Sequence, residues 1–420
     1  MDLSGPPTEM PALRRFSTKG EDMNTHTISR RRLLANAGSA GLAAALPFAP
    51  RFAIGQTAKV KVGLLLPYSG TYAALGHNIT DAMKLAFAAV DNKLGGRSIE
   101  FVQVDSEADP AKAPANTNKL VVGEKVDFLT GPVHSGVAMA MAKIAREEGT
   151  ITVVSNAGAN AVTREMCGPN IFRTSFSNWQ VCYPMGAEMV RRGHKRAVTI
   201  TWNYAAGKEM TGAFREGFEK NGGSVLKEIL VPFPNVEFQA NLTEIASLKP
   251  DAVYAFFAGA GAVKFVKDYA EAGLKSRVPL YGAGFLTDGT LPAQGASAEG
   301  VLTTLHYADS LDIEVNRRFR AAFKKATNRD ADVYAVQGYD TAQLLIEAMN
   351  KVKGDTKATK ALVEAMRGVQ FDSPRGRWSF SKMQNPVQDV YLREVKNGDN
   401  AVVGVAQKAV ADPGTGCATT

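Results

Sequence analysis

Gly131-Pro132-Val133-His134-Ser135-Gly136 lies between an apolar run, Val126 to Leu129, and a stretch of small residues, Val137 to Ala145. A buried strand that stops at Gly-Pro and restarts as a helix leaves backbone N–H groups at the helix start without internal partners. Ser135 adds a hydroxyl beside them, so the junction reads as a socket for an anion, most simply a carboxylate. A second junction of the same make follows. Ile151 to Ser155 reads as a strand, and Asn156-Ala157-Gly158-Ala159-Asn160 as a turn whose small residues admit close approach to the backbone.

Working outward, Val60 to Leu66, Ile99 to Val104 and Val126 to Thr130 alternate with helical text around Ile79 to Val90 and Ala111 to Val122. This βαβαβα order requires a mostly parallel sheet covered on both faces, with ligands beyond the carboxyl ends of its strands. The alternation pauses near Phe172 to Phe176 and resumes from Tyr183 to Gly284, and long helices follow over 315–325 and 336–351. The fold class expected is α/β: two similar lobes, each a mostly parallel sheet flanked by helices, joined by a three-crossover hinge. The divisions are 57–178 and 304–385 for the first lobe, and 179–303 with a return over 386–411 for the second. A mobile tail is expected over 412–420.

A chain of 420 residues with 45% hydrophobic content suits two globular domains. Residues 1–53 hold seven Lys/Arg against four acids; the formal charge of +8 falls to +5 without them, spread with no basic block. Nucleic acid is therefore not an expected partner. Ser29-Arg30-Arg31-Arg32-Leu33-Leu34, followed by the Ala- and Gly-rich run to Ala49, has the grammar of a twin-arginine export signal, too short for comfort as a membrane span. Residues 1–53 are thus expected to direct the chain to the periplasm, with a mature form that does not span the membrane. The three cysteines and five scattered histidines give no metal pattern, and no cofactor is expected. Cys167 and Cys182 flank the strand at Asn170 to Thr174; in an exported protein they either close a disulfide or stay as two buried thiols.

The order and spacing of several stretches resemble periplasmic solute-binding proteins of the type I fold, in the branched-chain amino acid branch that feeds ABC importers. These are Gly63 to Gly70, Ala108-Asp109-Pro110, Val126 to Ser135, Phe172-Arg173-Thr174, Lys249 to Val253 and Arg375-Gly376-Arg377-Trp378. The likeness spans nearly all of 59–407. It implies a ligand carboxylate held at His134 and Ser135, with further contacts at Asn156, Ala157, Gly158 and Ala159. It places Tyr204, Phe257 and Ala258 on the facing lobe, and Tyr72, Leu75, Phe285 and Tyr334 along the pocket. It also implies the transmembrane subunits of an ABC permease as partner.

Amino-acid binders of this branch carry an acidic residue after the last strand of the second lobe, to pair with the ligand ammonium. Gly284 stands there instead, with Phe285 next and Asp288 nearby. A buried ammonium without a partner is costly, so the ligand expected is an aromatic or apolar monocarboxylate. The alternatives are branched-chain amino acids or amides, or a ligand sensor for a signalling receptor. Tyr68, Phe176, Trp202 and Phe256 add to the aromatic supply expected near the cleft. The chain is not expected to be an enzyme: Val133 rules out a G-x-S-x-G elbow, phosphate-loop spacings are missing, and neighbouring His134 and Ser135 point apart.

Overall fold

Every residue of Val60–Leu66 (β1) except Lys61 is buried. That pattern fits only a central strand covered on both faces. The computed structural model describes residues 58–418, so the expected export signal lies outside the described residues. After β1 come Ala73–Ala88 (α1), Lys93–Leu94 (β2), Arg97–Asp105 (β3), Ala113–Asn118 (α2), Phe128–Gly131 (β4), Ser135–Glu147 (α3), Ile151–Val154 (β5) and Ile171–Arg173 (β6). These strands form a six-stranded sheet in the order β2-β3-β1-β4-β5-β6, parallel except at the β2 edge.

The second lobe repeats the plan with Asn178–Arg191 (α4), Arg196–Trp202 (β7), Ala205–Lys220 (α5), Ser224–Val231 (β8) and Gln239–Leu248 (α6). Ala252–Phe256 (β9), Gly259–Glu271 (α7), Leu280–Ala283 (β10), Leu291–Gln294 (α8) and Leu302–Leu305 (β11) complete it. The chain then returns through Glu314–Thr327 (α9), Val333–Lys351 (α10) and Thr359–Arg367 (α11), with α10 packed along α1 of the first lobe. Ser379–Phe380 (β12), Pro386–Lys396 (β13) and Asp399–Val410 (β14) join the second sheet. Its order is β12-β13-β11-β10-β9-β7-β8, with β14 paired to β13. The core β7 to β11 strands are parallel, whereas β13 and β14 are antiparallel additions. The fold is thus α/β with two lobes, crossed after β6, after β11 and between α11 and β13.

The crossings are fastened by Arg375, which is 3% exposed and sits in the third of them. Its guanidinium donates to the carbonyls of Thr174 (2.5 Å) and Ser175 (2.9 Å) in the first crossing, and to Gln388 Oε1 in β13 (2.7 Å). Its Nε lies 2.9 Å from Asp340 Oδ2 on α10, but the N–H is poorly directed, so that contact is Coulombic rather than a hydrogen bond.

Two expectations are corrected. Cys167 bonds Cys417, 250 residues away, and not Cys182, which is a buried free thiol. Cys167 precedes β6 in the first lobe, whereas α4 carries Cys182 into the core beside the second sheet, where burial pushes the thiol up to about 12. The segment from Asp412, expected as a mobile tail, is anchored twice: by that disulfide and by a bidentate pair between Asp412 and Arg164 at 2.9 and 3.0 Å. Among the described residues no helix is long and apolar enough to cross a membrane.

The N-terminus of α10 lies at the lobe boundary. Asp332 caps it, accepting the Ala335 N–H at 2.9 Å and the Asn78 side-chain N–H at 2.7 Å. Burial, with Asp288 beside it, raises the Asp332 carboxyl to about 7. The folded chain therefore holds a proton that the unfolded chain releases near pH 4, so this group's contribution to stability is lost as pH rises toward 7. Buried His134 and His306 are shifted down and act in the opposite sense, so the informative quantity is a difference between variants. Relative to wild type, Asp332→Asn should gain up to about 1.4 kcal/mol of stability per pH unit between about pH 4 and 7. Denaturant titrations at pH 5, 6, 7 and 8 measure this; parallel curves for the two proteins would refute it.

Candidate functional site

The tips of β4 and β5 and the start of α3 face the second lobe. Gly131 ends β4 at φ +120, and a Cβ there would stand 2.1 Å from the Leu65 carbonyl oxygen, so only glycine turns the chain at this point. His134 caps α3 through its side chain, Nδ1 accepting the Gly136 N–H at 3.1 Å. Burial lowers this imidazole to about 4, so at neutral pH it is an uncharged cap and wall. Its ring stacks on Tyr204 from the other lobe, with centroids 4.5 Å apart. The helical ladder leaves the N–H groups of Ser135 and Val137 without an intrahelical acceptor. The Ser135 hydroxyl meets Asn178 Nδ2 at 3.4 Å.

A narrow cavity of about 20 Å³, measured as room for the centre of a water-sized sphere, opens in front of these groups. The first lobe contributes Tyr72, Leu75, Val133, Ser135, Asn156, Gly158 and Tyr334 to its wall; the second contributes Asn178, Tyr204, Ala206, Met210, Phe256, Ala258 and Phe285. Phe176, in the first crossing, packs on Phe285 at 4.8 Å. The hydroxyls of Tyr72 and Tyr204 bond each other at 2.9 Å across the two lobes. With the His134–Tyr204 stack, this makes the conformation a closed one.

Nine of the expected site residues therefore meet at one cavity: Tyr72, Leu75, Ser135, Asn156, Gly158, Tyr204, Ala258, Phe285 and Tyr334. Four stand off it. His134 is the cap behind Ser135, and Ala157 and Ala159 pack into the apolar layer under α3. Phe257 turns into the second lobe's core against Trp202, Phe238 and Phe265, while its neighbour Phe256 faces the cavity. A one-residue step along an extended chain reverses the face. Trp202 stays in that core, donating to the Asn235 carbonyl oxygen, and Tyr68 bonds Thr80.

Asn178 and Met210 were not anticipated. The signal for Asn178 is present: Ser177 and Gln180 form a capping box, which starts α4 at Asn178 rather than near Tyr183. Asn178 Nδ2 donates to Glu209 Oε2 at 2.7 Å, and the same oxygen accepts the Asn160 N–H at 2.9 Å. Met210 has no comparable local signal.

None of the wall residues is acidic. A Cβ at Gly284 would stand 2.5 Å from Leu305 Cβ and 2.7 Å from Arg393 Nη2, so the space an acidic side chain would need there is filled. Asp288 is engaged elsewhere: one oxygen takes Arg393 Nη1 at 2.5 Å and the other the Val333 N–H at 2.8 Å. The site thus offers N–H and hydroxyl donors to an anion and rings to an apolar body, with no carboxylate for a cation.

A model of the periplasmic binding protein family matches residues 59–400. A Leu/Ile/Val-binding protein homolog 6 from Brucella melitensis is 34% identical over 348 residues, 81% of this chain and 88% of that protein. Among solved structures, a solute-binding protein of an ABC transporter from R. palustris, in complex with benzoate, is 53% identical. It has a TM-score of 0.84 and covers 86% of this chain and 100% of its own. Another, from Rhodopseudomonas palustris BisB5 in complex with 3,4-dihydroxybenzoic acid, is 33% identical with a TM-score of 0.81, covering 85% and 99%. The two-lobed chain, with its site at the strand tips between the lobes, belongs to the periplasmic binding protein family, as a type I solute-binding protein of ABC transporters.

Proposed function

We propose that the protein captures an aromatic monocarboxylate of the benzoate kind between its lobes and delivers it to the transmembrane subunits of an ABC permease. The observation that carries this reading is the pairing of the Ser135 donors with a ring-lined cavity in which Arg393 and Leu305 fill the place of an ammonium partner. The carboxylate sits against the Ser135 hydroxyl and the first-turn N–H groups of α3, where the helix dipole favours negative charge. The ring lies among Phe176, Phe256 and Phe285. Ligand-bound protein is held closed by the Tyr72–Tyr204 bond and the His134–Tyr204 stack, which only the closed lobes make, and the three crossings are where it opens. Relatives bearing benzoate and dihydroxybenzoate support the ligand class. Residues 1–53 direct export to the periplasm in this reading.

Isothermal calorimetry with benzoate, leucine, isoleucine and valine tests it: benzoate should bind and the three amino acids should not. Ser135→Ala should weaken benzoate binding by about 1–3 kcal/mol, the worth of a hydrogen bond to a charged group. Leucine binding with benzoate inert, or an unchanged affinity in the serine variant, would defeat the assignment.

A further inference from the structure

The Tyr334 hydroxyl is a polar group on the cavity wall with no partner in the protein. The residue is 1% exposed, so bulk water does not serve it either. Its neighbours differ in this respect, since the Tyr72 and Tyr204 hydroxyls satisfy each other. Buried hydroxyls are normally bonded, and one left open at a binding cavity is explained by a ligand atom that completes it. Tyr334 stands in the first turn of α10 beside Phe285, whose ring centroid lies 6.0 Å from its own. The proposed carboxylate end is built from other elements, the starts of α3 and α4, where Ser135 and Asn178 meet.

Resting on the benzoate-like reading above, we propose that Tyr334 is a specificity-determining residue that bonds a hydroxyl on the ligand ring, so that the preferred ligand is a hydroxybenzoate rather than benzoate itself. A hydroxylated ring pairs the open group, whereas a bare ring buries it unpaired. A site built to bond a substrate hydroxyl discriminates against the analogue lacking it far more strongly than an apolar pocket does. The expected discrimination is roughly tenfold or more in Kd, the scale of one buried group left unpaired.

The test is calorimetric titration of wild type and Tyr334→Phe with benzoate and with 2-, 3- and 4-hydroxybenzoate. At least one isomer should bind wild type about tenfold or more tighter than benzoate, and in the variant that ratio should fall to about twofold or less. The ratio is the readout because a merely structural role for Tyr334, or a bond from it to the carboxylate, would weaken all four acids alike and leave the ratio in place. That result, or equal wild-type affinities for all four acids, overturns the inference while the benzoate-like reading stands. If none of the four acids binds, that reading fails and this inference with it.

Discussion

Arg375→Met is expected to lower the unfolding free energy by about 3–5 kcal/mol at pH 8, the scale for removing one partner of a buried ion pair. Arg375 and Asp340 are both buried, and Asp340 would be left with only the Ser373 hydroxyl at 2.9 Å and the Trp378 indole N–H at 3.2 Å. Burial already raises the Asp340 carboxyl to about 6 with the arginine in place. Without the cation it should rise further, so the variant's deficit should shrink as pH falls and the carboxylate takes up a proton. The carbonyls of Thr174 and Ser175 would also lose their guanidinium donor, loosening the first crossing from the third. Adding Asp340→Asn separates the two contributions: if the orphaned charge dominates, the double variant recovers much of the loss at pH 8. Denaturant unfolding of the single and double variants decides it, and a loss below about 1 kcal/mol for Arg375→Met would contradict the assigned role.

The second large effect concerns the C-terminal anchor. Replacing both Cys167 and Cys417 with serine should cost about 5 kcal/mol relative to the oxidised wild type, because the bond closes a loop of some 250 residues and restricts the unfolded chain. Reductant should bring the wild type to the same stability and leave the double variant unmoved. Cys182→Ser should keep the wild-type response to reductant, since that thiol is buried and unbonded. Loss of the reductant response in Cys182→Ser would mean that the pairing is different. The bond and the Arg164–Asp412 pair also carry the end of the chain from β14, in the second sheet, back to the segment before β6 in the first lobe. The molecule is thereby given a covalent link across the lobes in addition to its three crossings.

Much of the site was legible from local pattern. Strand ends at Gly131 and Val154, small residues after them and an aromatic at Tyr204 follow from residues close together in sequence, and the topology of a parallel sheet brings such ends to one edge. Where the reading missed, the reason is equally local. The resemblance put Phe257 at the site and left Phe256 to the general aromatic supply, and nothing local says which of two adjacent residues in an extended segment faces the partner lobe. The start of α4 was set late because Ser177 and Gln180 are polar and give no apolar period. Residues 359–367, read as no element, form α11, which buries Leu362, Val363 and Met366 against the rest of the first lobe.

By itself the sequence determined the alternation of strands and helices, and hence two parallel-sheet lobes with ligand-binding turns between them, because hydrophobic period and Gly-Pro punctuation act over a few residues. Only the tertiary structure decided which cysteine Cys167 meets, that Arg393 from 105 residues away claims Asp288, and that Tyr334 faces the cavity with its hydroxyl unpaired. Those outcomes depend on contacts between segments remote in sequence, which decide whether a buried charge or polar hydrogen finds a partner and which one, and no local pattern records them.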